Sequence, residues 1–244
     1  MEYGMERWYM VAPQRFSVRK YDGEPSEEDL DALKEIAKSF SRNGVRIELG
    51  VDEKIFTPIF LWYGKVKGAS HYAAFIARND TDPRMVGYLG EAFILECCAM
   101  GLGTCWLGAS YKKKLARDRT MLSRHERISC ITPIGLPGEQ YAGRPRRSLD
   151  KLTGLTQDEL IGLPEWQQRA LECARIAPSA VNAQPWSFEV KDDRIIVRCI
   201  SNNLGYGMLD CGIAMLHIEL GASHCDVSGE WKLQDRDAVF IPKL

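Results

Sequence analysis

Arginine and hydroxyl side chains alternate with apolar ones in Arg15-Phe16-Ser17-Val18-Arg19. In an extended segment alternate side chains share a face, so Arg15, Ser17 and Arg19 project together while Phe16 and Val18 pack inward. Two guanidinium forks and a hydroxyl suit a phosphate, because guanidinium meets phosphate oxygens bidentately and keeps its charge. A solvated strand edge with two arginines has the same pattern, so the row alone leaves both readings open. A second polar set lies in Ala177-Pro178-Ser179-Ala180-Val181-Asn182-Ala183-Gln184-Pro185-Trp186. Its two prolines break helix and exclude a central strand, leaving a stiff loop that presents Ser179, Asn182 and Gln184, with Trp186 as an apolar anchor. The small residues Ala177, Ala180 and Ala183 would let a flat ligand approach. The amide of Asn182 both donates and accepts, as a heterocycle with mixed ring edges requires. An ordinary turn between a helix and a hairpin is the competing reading.

The third set is Gly101-Leu102-Gly103-Thr104-Cys105-Trp106-Leu107-Gly108. Its G-x-G follows an apolar helix rather than a strand and lacks the third glycine of a dinucleotide fingerprint. Helix-capping glycines followed by a tight loop, whose backbone amides could face a ligand, fit better. No Walker A, H-E-x-x-H or G-x-S-x-G element is present. The eight cysteines contain no C-x-x-C pair and mostly sit among apolar neighbours, so they read as buried free thiols. His71, His125, His217 and His224 add no ligand spacing, and no metal site is expected. His217, inside GIAMLHIEL, reads as a packed helix residue. No side chain is expected to act as a catalytic acid or base.

These sets need elements to hold them. Ser26, followed by Glu27, Glu28 and Asp29 and then by apolar Leu30, Leu33, Ile36, Ala37 and Phe40, predicts a capped amphipathic helix. A second helix is predicted from Pro164 to Arg175, with Trp166, Ala170, Cys173 and Ala174 on one face, stopping before Pro178. Strands are expected at Val45 to Leu49, Ser187 to Val190 and Arg194 to Ile200, the last two as a hairpin turning at Asp192-Asp193. Apolar helices are expected from Glu91 to Met100, ended by Gly101, and from Cys211 to Leu220, ended by Gly221. Amphipathic helix, strand and buried helix thus occur twice, which suggests an internal duplication with halves at 1–140 and 147–244. The same order is ordinary in mixed domains.

At 244 residues the chain suits one large domain or two small halves. A composition of 45% hydrophobic and 27% charged residues excludes disordered and fibrous classes. Lys and Arg number 32 against 33 Asp and Glu, so no net field draws in nucleic acid or an anionic membrane. The most apolar stretch, Ala92 to Ala109, is interrupted by Glu96 and by glycines, and the start MEYGMERW is unlike a signal peptide. A cytoplasmic protein is expected.

The three sets in this order resemble the nitroreductase family of FMN-dependent oxidoreductases. The matching segments are RFSVRKYDGEP from Arg15, GLGTCWLG from Gly101, ITPIGLPGE from Ile131 and APSAVNAQPWSF from Ala177. The resemblance implies an α+β fold in which two tandem halves form a pseudo-dimer around a mixed sheet with buried central helices. In the family, FMN takes R-x-S-x-R from one subunit and P-S-x-x-N from the other. Here Phe40-Ser41-Arg42-Asn43 stands where the first half would carry its own P-S-x-x-N loop, so the chain looks like two subunits fused, with Asn43 and Arg147-Ser148 as remnants of a second site. One FMN per chain, at the interface between the halves, and a monomeric protein follow from this resemblance.

By the same resemblance, Arg15 and Ser17 contact the FMN phosphate, joined by Arg144 and Arg146, and Arg19 lies by the pyrimidine edge. Backbone amides at Trp106, Leu107 and Gly108 approach the flavin N5 side, and Pro178, Ser179, Asn182 and Gln184 supply the loop from the second half. The implied activity is NADH- or NADPH-dependent reduction of a small-molecule nitro or quinone-type acceptor with ping-pong kinetics. A specialised dehalogenating or flavin-fragmenting enzyme and a non-catalytic flavin-binding protein are the alternatives.

Overall fold

The computed structural model of the chain describes residues 4–56, 65–141, 143–191 and 193–243. The chain divides into two units, one formed by Gln14–Gly143 and the other by the chain from Arg144 on together with the N-terminal stretch up to Pro13. That division differs from the expected halves in the first residues. Helix α1 (Met5–Val11) buries Met5 and Trp8 and packs within the second unit against its long helix.

In the unit of Gln14–Gly143, Ser26 caps α2 (Glu27–Phe40) in a full capping box with Asp29, and Leu33, Ala37 and Phe40 form its buried stripe. Strands β1 (Tyr21–Gly23), β2 (Val45–Val51), β3 (His71–Arg78), β4 (Gly103–Thr104) and β5 (Glu126–Pro137) make a sheet in the order β1-β5-β3-β2, with β4 also on β5. Helix α3 (Pro83–Ala99) starts at Asp82 and Pro83, well before the expected Glu91. Gly87 and Gly90 both lie inside the helix. Gly90 is there for a close approach, since a Cβ on it would lie 2.4 Å from the Trp106 ring. Gly101, at φ +79°, ends α3 as expected: its N–H donates to Cys98 and the Leu102 N–H to Cys97. A short helix, α4 (Lys113–Arg119), precedes β5.

The second unit continues with α5 (Leu149–Thr153), α6 (Gln157–Ile161) and α7 (Glu165–Arg175). Strands β6 (Trp186–Lys191), β7 (Arg194–Cys199), β8 (Gly229–Gln234) and β9 (Asp237–Pro242) form a sheet in the order β6-β7-β9-β8. The expected hairpin is present, with Lys191 paired to Arg194; Asp192 of its predicted turn lies outside the described residues. Helix α8 (Gly207–Ser223) is buried on nearly every face. Gly221 does not end it. A Cβ there would lie 2.4 Å from the Arg169 carbonyl oxygen, so this glycine lets α8 approach the α7 backbone.

The α+β class holds. Among the described residues each unit has its own sheet, every named strand pair is antiparallel, and the parallel component of the expected mixed sheet is confined to the isolated bridges Ser17–Thr104 and Lys20–Lys67. Only two residues separate β6 from β7 and β8 from β9, and so short a connection favours antiparallel pairing; a parallel pair needs a long crossover. Among the described residues no helix is long and apolar enough to cross a membrane. Of the cysteines, Cys98 and Cys225 are half-buried and the others buried, all as free thiols. His217 is fully buried in α8, its Nδ1 3.0 Å from the Cys173 carbonyl oxygen.

Candidate functional site

The segment carrying Arg15, Ser17 and Arg19 is anchored by its backbone. The Val18 N–H donates to Thr104 at 2.9 Å, the Lys67 N–H to Arg19 at 2.9 Å, and the Tyr21 N–H to Lys67 at 2.9 Å. Gly103 permits the first of these contacts, because a Cβ there would lie 2.9 Å from Val18 Cγ2. Glu139 Oε1 accepts the N–H of Arg19 at 2.6 Å and of Lys20 at 3.3 Å. The expected alternation holds only in part: Val18 is buried and Phe16 packs against the same core, but Arg15, expected to share the open face of half-buried Ser17 and Arg19, is itself buried. Residues 15–19 lie outside any regular ladder, so the two-residue period of a strand does not apply.

Arg15 turns inward because a buried carboxylate awaits it. Its side chain is 5% exposed, and Nε lies 3.6 Å from Oε1 of Glu91 on α3, which is itself fully buried. The other carboxylate oxygen of Glu91 accepts the Trp106 indole N–H at 2.8 Å. The Nη1 of Arg15 is buried with no hydrogen-bond partner among the described residues. Arg19 makes one long side-chain contact, from Nη1 to the Ser17 carbonyl at 3.4 Å.

In the loop after β4, the Trp106 ring packs on Phe75 at a centroid distance of 4.6 Å. Leu107 is buried and pairs both ways with Ile131, donating its N–H at 2.9 Å and accepting at 3.0 Å. Its amide is therefore not available to a ligand, contrary to expectation: the loop closes onto β5 through this residue. The amides of Trp106 and Gly108, on either side, make no hydrogen bond among the described residues.

The P-S-x-x-N loop belongs to the other unit and leaves α7 through Pro178. Val181, Asn182 and Gln184 all have positive φ, of 48°, 58° and 49°. For β-branched Val181 that is a strained backbone, the kind that surrounding contacts must enforce. The amide of Asn182, expected to be open to a heterocycle, is already engaged: Oδ1 accepts from Arg146 Nη1 at 2.5 Å, and Nδ2 donates to the Pro145 carbonyl at 2.9 Å. Arg146 is half-buried and also donates to the Ile176 carbonyl, while Arg144 is exposed. Gln184 is buried and joins the loop to itself, accepting from the Arg147 N–H at 2.8 Å and donating to the Asn182 carbonyl at 3.2 Å. Ser179 Oγ accepts the Gln184 N–H at 2.8 Å. Pro178 is buried, and Trp186 is a fully buried apolar anchor.

Asp210, in the first turn of α8, ties this loop down. Its Oδ1 accepts the Ala180 N–H at 3.1 Å and its Oδ2 the Asn203 Nδ2 at 2.6 Å, while that same Nδ2 donates to the Ala180 carbonyl at 3.0 Å. Burial pushes the Asp210 carboxyl up to about 7, opposed by the hydrogen bonds from Asn203 and Ala180.

Sequence reasoning missed Glu91 and Asp210 as site residues. The signal was available, since each is an acidic residue within a predicted apolar helix or directly beside one. Such a residue needs a partner, but nothing local names it. The N-terminal set fits an anion such as the phosphate of FMN: a buried guanidinium nitrogen without a partner, with a hydroxyl and a second guanidinium nearby in the chain. The second set offers a pre-shaped loop, its amides already used to hold that shape. Among the described residues no cluster of His, Cys, Asp or Glu could hold a metal ion.

A putative nitroreductase from Thermotoga maritima msb8 shares this fold at a TM-score of 0.69 and 20% identity, over 96% of this chain and 93% of that one. An FMN-dependent nitroreductase from Clostridium difficile R20291 aligns at a TM-score of 0.45 and 20% identity, over 59% of this chain and 91% of that one. A nitroreductase family protein from Streptococcus pneumoniae TIGR4 aligns at 0.49 and 13% identity, over 60% and 98%. No curated protein matches the sequence. The sequence matches the family described as Putative TM nitroreductase across residues 9–222, most of its length, and the chain belongs to that family.

Proposed function

We propose that the chain is an FMN-dependent NAD(P)H oxidoreductase of the nitroreductase type, reducing a nitro or quinone-type small molecule. The observation that carries this reading is the buried Arg15, whose Nη1 has no hydrogen-bond partner among the described residues, close in sequence to Ser17 and Arg19 in a member of this family. Bound FMN would supply hydride acceptance from NADH or NADPH and onward delivery to the acceptor.

The protein's own residues bind and orient. Arg15 and Ser17 hold the phosphate, with Arg144 and Arg146 as further candidates. The Arg19 guanidinium, half-buried and lightly engaged, stabilises negative charge at the pyrimidine edge. The amides of Trp106 and Gly108, without a hydrogen bond among the described residues, are the donors for the ring; Leu107 contributes packing instead. Pro178, Ser179, Asn182 and Gln184 supply loop shape, and the Ser179 hydroxyl retains its proton for donation. One FMN per chain is the stoichiometry that the family resemblance implies.

Arg19→Ala tests the assignment. FMN affinity, read by quenching of flavin fluorescence in the flavin-stripped protein, is expected to fall about tenfold or more, as for loss of a charge-assisted contact. Unchanged affinity and an unchanged rate of flavin reduction would refute the role given to Arg19.

A further inference from the structure

Glu91 sits in the middle of α3 beside Leu89, Ala92, Phe93 and Ile94, all fully buried, and is itself fully buried. A carboxylate in such surroundings is costly unless paired and hydrogen-bonded, and an apolar side chain of similar volume would pack the helix without that cost. Packing alone therefore gives no reason for it. Its two oxygens divide between two segments of the candidate site. Oε1 lies 3.6 Å from Arg15 Nε, and Oε2 accepts the Trp106 indole N–H at 2.8 Å. The neighbouring Gly90 lets the indole lie against the helix backbone, since a Cβ there would lie 2.4 Å from the ring.

Arg15 has the matching requirement. Its side chain is 5% exposed, and a buried guanidinium needs a counter-charge. With Nε facing Glu91, Nη1 remains the unpartnered donor.

We propose that Glu91 is a positioning residue for the flavin phosphate, holding the Arg15 guanidinium in its buried place ahead of the anion and fixing the Trp106–Gly108 loop through the indole. The inference rests on the FMN reading above. It explains how one buried acid serves both a phosphate contact and a ring contact: it touches neither ligand part, and acts through Arg15 and Trp106.

The test compares FMN with riboflavin, which lacks the phosphate, on the full-length flavin-stripped protein. Glu91→Gln keeps an acceptor for the indole and removes the charge facing Arg15. The preference for FMN over riboflavin is expected to shrink about tenfold, with riboflavin affinity itself changing less than about threefold. In Arg15→Ala the preference is expected to be lost, and adding Glu91→Gln to that variant should change it no further. A parallel loss of both ligands in Glu91→Gln, or no change in the preference, overturns the positioning role. If Glu91→Gln fails to fold, Glu91→Asp, which keeps the charge but draws it back from Arg15, takes its place; the same shrinkage of the preference is expected there, and an unaltered preference overturns the proposal. Wild-type protein that binds neither FMN nor riboflavin would overturn the functional reading, and the inference with it; wild-type FMN binding with an unaltered preference in Glu91→Gln overturns the inference alone.

Discussion

Asp210 shows how a single buried group can hold a loop and make the fold sensitive to pH. Its carboxyl is raised to about 7 chiefly by burial, so the folded state binds a proton that the unfolded chain, with an ordinary aspartate near pH 4, has released. The stability this contributes is fully present below about pH 4 and is lost as pH rises through about 7. A shift of this size corresponds to a few kcal/mol, at about 1.4 kcal/mol per unit. Asp210→Asn removes the titration while keeping an acceptor for the Ala180 N–H. Urea unfolding at several pH values should show the wild type losing stability relative to Asp210→Asn between about pH 4 and pH 7. Parallel curves for the two proteins would rule the assignment out. The same scale explains why Asn182 and Gln184 looked like ligand contacts in the sequence. Their amide chemistry suits a heterocycle, but it equally suits Arg146, Pro145 and Arg147, and only the folded loop chooses between them.

At the scale of elements, local signals were legible and distant ones were not. Ser26 and Asp29 lie within one turn, so the start of α2 could be read directly. Pro164 and Pro178 likewise bracket α7. Glycine was the misleading signal. Gly221 in α8 read as a helix end because glycine disfavours helix interiors, whereas there the lack of a Cβ admits a neighbouring backbone, and at Gly90 in α3 it admits a ring. Gly221→Ala therefore has a definite expectation. Its Cβ would meet Arg169 O at 2.4 Å and Ala170 Cα at 2.5 Å, both backbone atoms, so α7 and α8 must separate. Unfolding stability should drop by about 1–3 kcal/mol, the usual cost of overpacking. A drop of less than about 0.5 kcal/mol would show that the two helices are not in close contact at this point. The residues that tie the candidate site together were the least legible. Glu139 reaches Arg19, and Glu91 reaches Arg15, across sequence separations that no periodicity encodes.

At the scale of the whole chain, the sequence suggested two halves in order, and the structure gives two units in which the N-terminal segment up to Pro13 belongs with the later one. Helix α1 belongs with α8, near the other end of the chain, and Trp8 is its main anchor at 2% exposure. Trp8→Ala should cost about 3–5 kcal/mol, as for loss of a buried large aromatic. Amide exchange should quicken in α8 while α2 and α3 keep their protection; faster exchange in α2 and α3 alone would contradict the division. The near-zero net charge noted from the sequence also acquires a local meaning. Arg15 faces Glu91, and Arg146 donates to Asn182 and to the Ile176 carbonyl, so the arginines of the candidate site are placed by specific contacts rather than by a general field. The account turns on whether these groups hold a working flavin. The direct measurement is to saturate the full-length protein with FMN, remove the excess, count bound flavin, and add NADH or NADPH without oxygen. The expected result is about one FMN per chain, bleached by at least one nicotinamide and restored by a quinone; protein that takes up no FMN, or holds FMN that neither nicotinamide bleaches, would contradict the account.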